Sequence, residues 1–369
     1  MQALPDLTLF APRTLFGRGR LSALPALSLE WGHRGLLACG SSFRGGPLFA
    51  GLAGRLGEGC RVVEHPGGEP TVEQAEALRA LARGHRADWI AAVGGGSVLD
   101  LAKAAAGLFN ETAPVADFHA GRAVGKAGLP FLAVPTTAGT GAEATPNAVL
   151  TDTRTALKKS IRDDRFMARA VILDGALLAG TPAAVVAHAG MDAYTQALEA
   201  GVSRKSTAWS EATALAALRL IAASLPAVQA DPAAPAADSL LAGSYLAGVA
   251  LAQARLGVVH GLAHPLGAFY HQPHGLVCAV CLPAALELNR PALGKAYDRF
   301  SEAAGGDLTA VTSGLIARLG IKNPFKGQPI IRLEEIVEQT LSSGSTQANP
   351  KAIGRAEVEW LLKKVFSDR

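Results

Sequence analysis

Short apolar runs alternate with longer helical patterns through the first half of the chain. The segments between the apolar runs, such as residues 71–83 and 97–108, repeat apolar residues at helical spacing. Buried strands are predicted at residues 35–39, 60–63, 89–93, 131–135 and 171–173. Strands that alternate with helices of this length are typical of βαβ units, so the pattern predicts a mostly parallel sheet.

The pattern changes after Asp174, because β-branched runs become rare and Ala and Leu dominate. Helices are predicted at residues 182–200, 208–225, 236–256, 276–288, 292–304, 307–319, 333–342 and 355–366. We therefore expect a boundary near Gly175, with an α/β domain over residues 1–175 and an all-helical domain over residues 176–369. A ligand cleft between two such domains is the default expectation.

A glycine-rich turn joins the third predicted strand to the following helix. The segment reads WIAAVGGGSVLDLAK and contains Gly94, Gly95 and Gly96. Glycine lets a backbone approach a ligand closely, and a helix N-terminus offers free N–H groups and partial positive charge to a pyrophosphate. The turn favours dinucleotide binding, although an ordinary strand-to-helix turn would also use glycine.

A second polar loop leaves the next strand and reads AVPTTAGTGAEAT. Its threonine hydroxyls and glycine-flanked N–H groups suit ribose and phosphate oxygens, although a solvated loop is the simpler alternative. Its position after a strand favours the ligand-binding interpretation. The predicted cofactor-binding residues are Gly40, Ser41, Gly95, Gly96, Ser97, Asp100, Thr136, Thr137, Thr140 and Lys159.

Four histidines lie close together in the segment HGLAHPLGAFYHQPHG: His260, His264, His271 and His274. Clustered imidazoles suit Zn²⁺ or Fe²⁺. Upstream, the apolar segment GMDAYTQALEA contains Asp192, which is a candidate anionic ligand because a buried Asp needs a partner. Gln196 follows one helical turn later and could present its amide oxygen.

The four cysteines of the chain do not form a disulfide framework at this length. Cys278 and Cys281 have the spacing of a metal or redox motif, but no second pair accompanies them. They lie in the apolar run LVCAVCLPAALEL, which favours two buried core thiols. Cysteine usage of this kind fits a reducing cytoplasm.

The composition is that of a soluble globular protein, with 18% charged residues and a net charge of +4 over 369 residues. No long basic run indicates nucleic acid or an anionic membrane as a partner. The first twenty residues lack a signal-peptide pattern, and the longest uncharged stretches are too short for a spanning helix. We therefore expect a cytoplasmic protein with a small-molecule substrate.

Three motifs together resemble the iron-containing (group III) alcohol dehydrogenases. They are GGGSVLDLAK, PTTAGTGAEAT, and GMDAYTQALEA followed by HGLAHPLGAFYHQPHGL. The resemblance spans almost the whole chain. It implies an α/β Rossmann-like N-terminal domain plus an all-α C-terminal domain, the architecture of dehydroquinate synthase. It also implies a metal-dependent, NAD(P)-linked alcohol dehydrogenase or aldehyde reductase that forms a homodimer or larger homo-oligomer.

The resemblance also implies roles for individual residues. It makes Asp192, His260 and His274 ligands of Fe²⁺ or Zn²⁺, and it places His264 near the nicotinamide. Gln196 stands where relatives usually have a second histidine ligand, so we include it as a weaker metal ligand. His264 and His271 are the predicted catalytic residues.

Cofactor choice is suggested by the residues that follow the first predicted strand. Relatives that prefer NAD often have an Asp there, whereas this chain reads Gly40, Ser41, Ser42, Phe43, Arg44. No carboxylate would repel a 2′-phosphate, and Arg44 is close in sequence. The preference therefore leans toward NADP(H).

Three other functions are weighed against this one. Asp192 argues against a metal-independent reductase that resembles maleylacetate reductase. A non-redox lyase that resembles dehydroquinate synthase would need basic residues around a phosphate, and few lie near the histidines. Gln196 is the feature that favours a non-catalytic, nucleotide-binding descendant without metal.

Overall fold

The structure is a computed structural model that describes residues 11–155 and 157–367. These residues fall into two compact units. The first contains residues 11–137 and Gly141–Ala179, and the second contains Ala138–Thr140 and residues 180–367. The domain boundary near Gly175 stays a prediction.

The first unit is built on a parallel sheet. Its described strands are β1 (Arg13–Phe16), β2 (Gly35–Gly40), β3 (Cys60–His65), β4 (Trp89–Gly94), β5 (Phe131–Pro135), β6 (Asn147–Asp152), β7 (Leu157–Arg162) and β8 (Ala170–Leu173). Six of these described strands form one sheet in the order β1-β8-β5-β4-β2-β3, with every pair parallel. The five predicted strands are confirmed as β2, β3, β4, β5 and β8. Four of them are buried in the interior of this sheet, whereas β3 is a partly buried edge strand.

The sequence pattern does not predict three of the described strands. Strand β1 is short and largely exposed at the sheet edge, and β6 and β7 form a separate antiparallel hairpin. Strand β7 reads LKKSIR and is mostly exposed, so it lacks the apolar run that predicts a buried strand. The helices of this unit are α1 (Leu24–Leu29), α2 (Ser41–Arg44), α3 (Pro47–Ala53), α4 (Val72–His85), α5 (Gly96–Gly107) and α6 (Val115–Ala120).

The second unit is helical, and with the first it confirms the predicted fold class. Its α-helices are α7 (Ala183–Val202), α8 (Ala208–Ala230), α9 (Ala236–Ala254), α10 (Val258–Tyr270), α11 (His274–Leu293), α12 (Lys295–Ala304), α13 (Leu308–Arg318), α14 (Leu333–Ser342), α15 (Gly344–Gln347) and α16 (Arg355–Phe366). Within the described residues, α8 and α11 are long and apolar enough to span a membrane, and α9 with α10 would add a third span if that bent pair counted as one. About half of the apolar window in α8 and in α11 is buried inside the protein.

Glycine permits close packing where two of these helices cross. A Cβ atom on Gly275, in the first turn of α11, would lie 2.1 Å from the carbonyl oxygen of His188 on α7 and 3.3 Å from the Asp192 Cβ. Real side chains do not tolerate the first of these contacts, so the backbones touch only because residue 275 is glycine. This crossing brings His274 beside Asp192.

Candidate functional site

Three helices bring the predicted metal ligands together in the second unit. Asp192 lies in the middle of α7, His260 in the first turn of α10, and His274 opens α11. The Asp192 Oδ1 atom is 3.2 Å from His260 Nε2 and 3.7 Å from His274 Nε2. Ligands held about 2.0–2.2 Å from one tetrahedral ion are themselves about 3.4 Å apart, so these atoms have the spacing of a shared cation site.

Glu199 supports this cluster from behind His260. Its Oε2 accepts a hydrogen bond from His260 Nδ1 at 2.6 Å, and its Oε1 accepts one from the Val259 backbone N–H at 2.7 Å. When the Nδ1–H group donates its hydrogen bond to Glu199, the Nε2 lone pair is available to a cation. Glu199 is buried and was not predicted as a site residue. A second acid in the same apolar helix as Asp192 was the available signal.

Protonation of the cluster follows from its charges. Burial alone would raise the pKa of Asp192, but His274 and His260 beside it lower that pKa below its ordinary value. Burial alone would lower the pKa values of His260 and His274, but Cys278 and Asp192 beside them raise both. Protons therefore compete with a cation for the imidazoles, and binding of the cation releases protons.

Replacing Glu199 by glutamine is expected to weaken binding of Zn²⁺ by about 10- to 100-fold, the usual effect of an outer-shell partner. The amide can still accept from His260, but it removes the charge that holds the imidazole. Chelator competition measures the affinity. Glu211→Gln is the matched control, since Glu211 is a buried carboxylate on α8 whose partner is Arg299. Equal losses in the two variants would mean that Glu199 acts on the fold alone.

The other predicted residues of this segment lie in different surroundings. Gln196 is buried and hydrogen-bonds Asp192, and its Oε1 has no hydrogen-bond partner among the described residues. His264 is exposed, with its ring 5.3 Å from that of His274. His271 is exposed at the C-terminal end of α10 with a φ of 53°. The structure therefore places His264 beside the cluster, while His271 caps a helix.

Cys278 is the second residue that the sequence interpretation missed. Both Cys278 and Cys281 are buried, as expected of core thiols. However, the Cys278 Sγ lies 3.6 Å from His274 Nε2, one helical turn along α11. Four candidate ligand atoms lie within 4.8 Å of one another, one each from Asp192, His260, His274 and Cys278. Burial alone would raise the pKa of the Cys278 thiol, but His274 and His260 lower it.

The predicted nucleotide loop lies in the first unit, where β4 ends and α5 begins. Gly95 is the N-cap of α5, and no side chain caps the helix within the described chain. The first N–H groups of α5 therefore point to a position where an anion can bind. A Cβ atom on Gly95 would lie 3.3 Å from the Thr137 hydroxyl, and Thr136 donates its backbone N–H to the Gly94 carbonyl at 3.0 Å. The two predicted loops are thus neighbours.

The remaining predicted cofactor residues are more dispersed. Gly40 and Ser41 lie where β2 passes into α2. Thr140 belongs to the short segment that groups with the second unit, and Lys159 is exposed on the hairpin strand β7. Asp100 is buried, and its Oδ2 accepts from the Val149 N–H at 3.1 Å. This contact holds the hairpin, and a role for Asp100 in cofactor binding stays a prediction.

Lys103, on α5, lies beneath the loop that follows β5. Its ammonium is fully buried and donates to the backbone carbonyls of Ala142, Thr145 and Asn147. The buried Asp100 carboxylate lies 3.6 Å away. Three carbonyl acceptors and one carboxylate offset the desolvation of the lysine, so the loop and the hairpin share one buried cation.

Because Glu143 in the same loop is buried, we expect the free energy of unfolding to depend on pH. Burial raises its pKa from 4.5 to about 7, and Lys103 offsets this only in part. The folded state therefore holds the proton more tightly than the unfolded chain, and stability falls as the pH rises from about 4.5 to 7, by up to about 3 kcal/mol. Glu143→Gln should flatten this slope in urea unfolding measured at several pH values, while the exposed control Glu58→Gln should not. Parallel slopes for wild type and Glu143→Gln would contradict the assignment.

A parallel α/β unit with an uncapped glycine turn and a helical unit with an Asp–His–His cluster define a class of metal-dependent enzymes. Family comparisons agree with this class. The protein-family model described as iron-containing alcohol dehydrogenase matches residues 11–175. The model described as Fe-containing alcohol dehydrogenase family, C-terminal, matches residues 186–366. The chain belongs to the iron-containing alcohol dehydrogenase family, and it is an oxidoreductase of the alcohol dehydrogenase and aldehyde reductase class.

Individual relatives support this assignment. The probable alcohol dehydrogenase EutG of Escherichia coli (strain K12) is 35% identical over 321 residues, which cover 84% of this chain and 81% of that protein. The solved structure of a 1,3-propanediol oxidoreductase is 28% identical, with a TM-score of 0.92 and coverage of 98% of this chain and 100% of that one. Sulfoacetaldehyde reductase from Bifidobacterium kashiwanohense, solved in complex with NAD⁺, is 25% identical with a TM-score of 0.91, covering 97% and 98% of the two chains.

Proposed function

We propose that the protein reversibly reduces a short aldehyde to its alcohol, using NAD(P)H and a divalent ion held by Asp192, His260 and His274. The observation that carries this proposal is the buried cluster of one carboxylate and two imidazoles at ligand spacing, with Glu199 fixing one ring. These donors are ones that Zn²⁺ and Fe²⁺ accept. The buried Gln196 side chain lies next to Asp192, and its Oε1 lacks a hydrogen-bond partner among the described residues.

Different residues of the chain have different roles in the proposed reduction. When bound, the ion supplies Lewis acidity to the substrate oxygen and the nicotinamide supplies the hydride. Glu199 holds His260 Nδ1, so that Nε2 stays oriented. Reduction also consumes one proton at the new hydroxyl oxygen. The exposed imidazole of His264, beside His274, suits a relay of that proton from solvent.

The cofactor binds, in this proposal, at the uncapped N-terminus of α5. Backbone N–H groups of the glycine turn receive the pyrophosphate, and Ser97 and Thr137 add hydroxyls. The NAD⁺ bound in the sulfoacetaldehyde reductase structure supports a nicotinamide cofactor. NADPH is preferred, because no carboxylate follows β2 and Arg44 there is exposed, with its guanidinium 4.0 Å from the centre of the Phe49 ring.

The proposal is tested by following oxidation of NADPH and of NADH with a panel of short aldehydes, before and after removal of metal. We expect activity that chelation abolishes and that Zn²⁺ or Fe²⁺ restores, with the larger kcat/KM for NADPH. Full activity of the metal-free protein would overturn the metal-dependent mechanism. A larger kcat/KM for NADH would overturn only the cofactor preference.

We further propose a cytoplasmic homodimer or larger homo-oligomer. The free state of all four cysteines supports a reducing compartment. Light scattering of the purified protein tests the assembly, and a mass equal to one chain would overturn it.

A further inference from the structure

The candidate ligand atoms gathered in the helical unit include more than one carboxylate and two imidazoles. The thiol of Cys278 is fully buried and lies 3.6 Å from His274 Nε2. Its Sγ is also within 4.8 Å of the ligand atoms of Asp192 and His260. A thiol that merely fills a core would be surrounded by apolar side chains, whereas this one faces a carboxylate and two rings.

The neighbouring cysteine provides an internal comparison. Cys281 lies on the same helix, three residues on, and is equally buried. It does not belong to the group of four ligand atoms. The difference is one of distance along the helix: Cys278 follows His274 by four residues, about one turn, whereas Cys281 follows it by seven, about two turns or about 10 Å of rise.

We propose that Cys278 binds the metal as a thiolate, so that the protein's ligand set is Asp192, His260, His274 and Cys278 and the resident ion is Zn²⁺. This inference rests on the metal site of the proposed function. A soft sulfur donor shifts a nitrogen and oxygen set toward Zn²⁺, which accepts mixed thiolate and imidazole ligands.

The exposure of the four residues leaves room for a substrate. The side chains of Asp192 and His260 are about 5% exposed and Cys278 is fully buried, whereas His274 is 32% exposed. The thiolate therefore binds from the buried side, and the accessible side next to His274 stays open. Zinc can expand from four to five ligands during reaction, so four protein ligands do not exclude a substrate oxygen.

With this ligand set, Gln196 does not bind the ion itself but orients Asp192. It hydrogen-bonds the Asp192 carboxylate, and such a bond orients the carboxylate toward the ion. The neutral amide is a weaker donor than a thiolate, so the thiolate is the better candidate for the fourth position.

The test begins with the wild-type chain, which needs no substitution. X-ray absorption at the zinc edge of the Zn²⁺-loaded protein should show one sulfur at about 2.3 Å. The Co²⁺-loaded protein should show a near-ultraviolet thiolate-to-cobalt charge-transfer band. A protein that binds the ions without sulfur scattering or this band would overturn the thiolate ligand and leave the proposed metal-dependent function standing. A wild-type chain that binds neither ion would overturn both.

Variants then identify which thiol is involved. Cys278→Ser should lose the cobalt band and weaken Zn²⁺ binding at least as much as loss of an outer-shell partner, about 10- to 100-fold. Cys281→Ser is the matched control, and it should keep both the band and the affinity. If the band persists in Cys278→Ser or disappears in Cys281→Ser, the assignment is wrong. Circular dichroism of the metal-free variants checks that both are folded.

Discussion

Replacing Asp192 by alanine is expected to leave the protein without bound metal and to lower kcat/KM for aldehyde reduction by about 1000-fold or more. Asp192 contributes a full negative charge to the proposed metal site, and both His260 and His274 are arranged around its Oδ1 atom. Lewis-acid stabilisation of a developing oxyanion contributes several kcal/mol, and each 1.4 kcal/mol corresponds to about tenfold in rate. Metal content and steady-state kinetics of the purified variant measure the two effects.

Two further variants separate charge from folding. Asp192→Asn keeps the shape of the side chain and removes its charge, so we expect weak metal binding and residual activity between that of wild type and Asp192→Ala. Asp298→Ala removes an exposed acid at the start of α12 and should change neither quantity. Full metal occupancy in Asp192→Ala would show that the ion is bound elsewhere.

Introducing a carboxylate at the glycine turn should disable cofactor binding without harming the fold. Gly96 is the first residue of α5, where an acidic side chain stabilises a helix by interacting with its dipole. The same carboxylate would lie where the pyrophosphate is proposed to bind. Repulsion between like charges at close range costs several kcal/mol, so Gly96→Asp should raise the KM for NAD(P)H by about 100-fold.

Gly96→Asn is the matched control, because it has nearly the same size and no charge. We expect it to affect the KM for the cofactor far less, and we expect the thermal stability of both variants to match wild type or exceed it. If the Asp and Asn variants raised this KM equally, steric exclusion and not charge would be responsible. An unchanged KM in Gly96→Asp would place the phosphates elsewhere.

The sequence pattern predicted the parts of the fold that bury apolar surface. Strands β4 and β5 read as continuous apolar runs because both faces of a parallel sheet are covered. The hairpin of β6 and β7 was missed because its second strand is polar and mostly exposed, so no alternation distinguishes it from a loop. The role of Lys103 could not be predicted for a related reason: its partners are backbone carbonyls some forty residues later, and the sequence does not show which backbone carbonyls a side chain will contact.

The candidate site was predictable wherever chemistry coincided with helical spacing. Asp192 was identified because an acid in an apolar helix needs a partner, and the same argument applied to Glu199 but was not extended to it. Cys278 was assigned to the core because the residues around it in the sequence are apolar. Its distance from His274 in the chain, one helical turn, was the informative quantity. A spacing of one helical turn from a candidate ligand therefore predicts more than the hydrophobicity of a residue's neighbours.

The contact at Gly275 bears on how selective the proposed ion site can be. Because the backbones of α7 and α11 touch there, the separation of Asp192 from His274 is fixed by main-chain packing and not by flexible side chains. The conformational entropy of gathering these ligands is then lost when the chain folds, and little remains to be lost when an ion arrives. A cage of fixed span also responds sharply to ionic radius, since it cannot widen for a larger cation without separating two helices. Discrimination among ions of one charge thus originates partly in a residue that has no side chain.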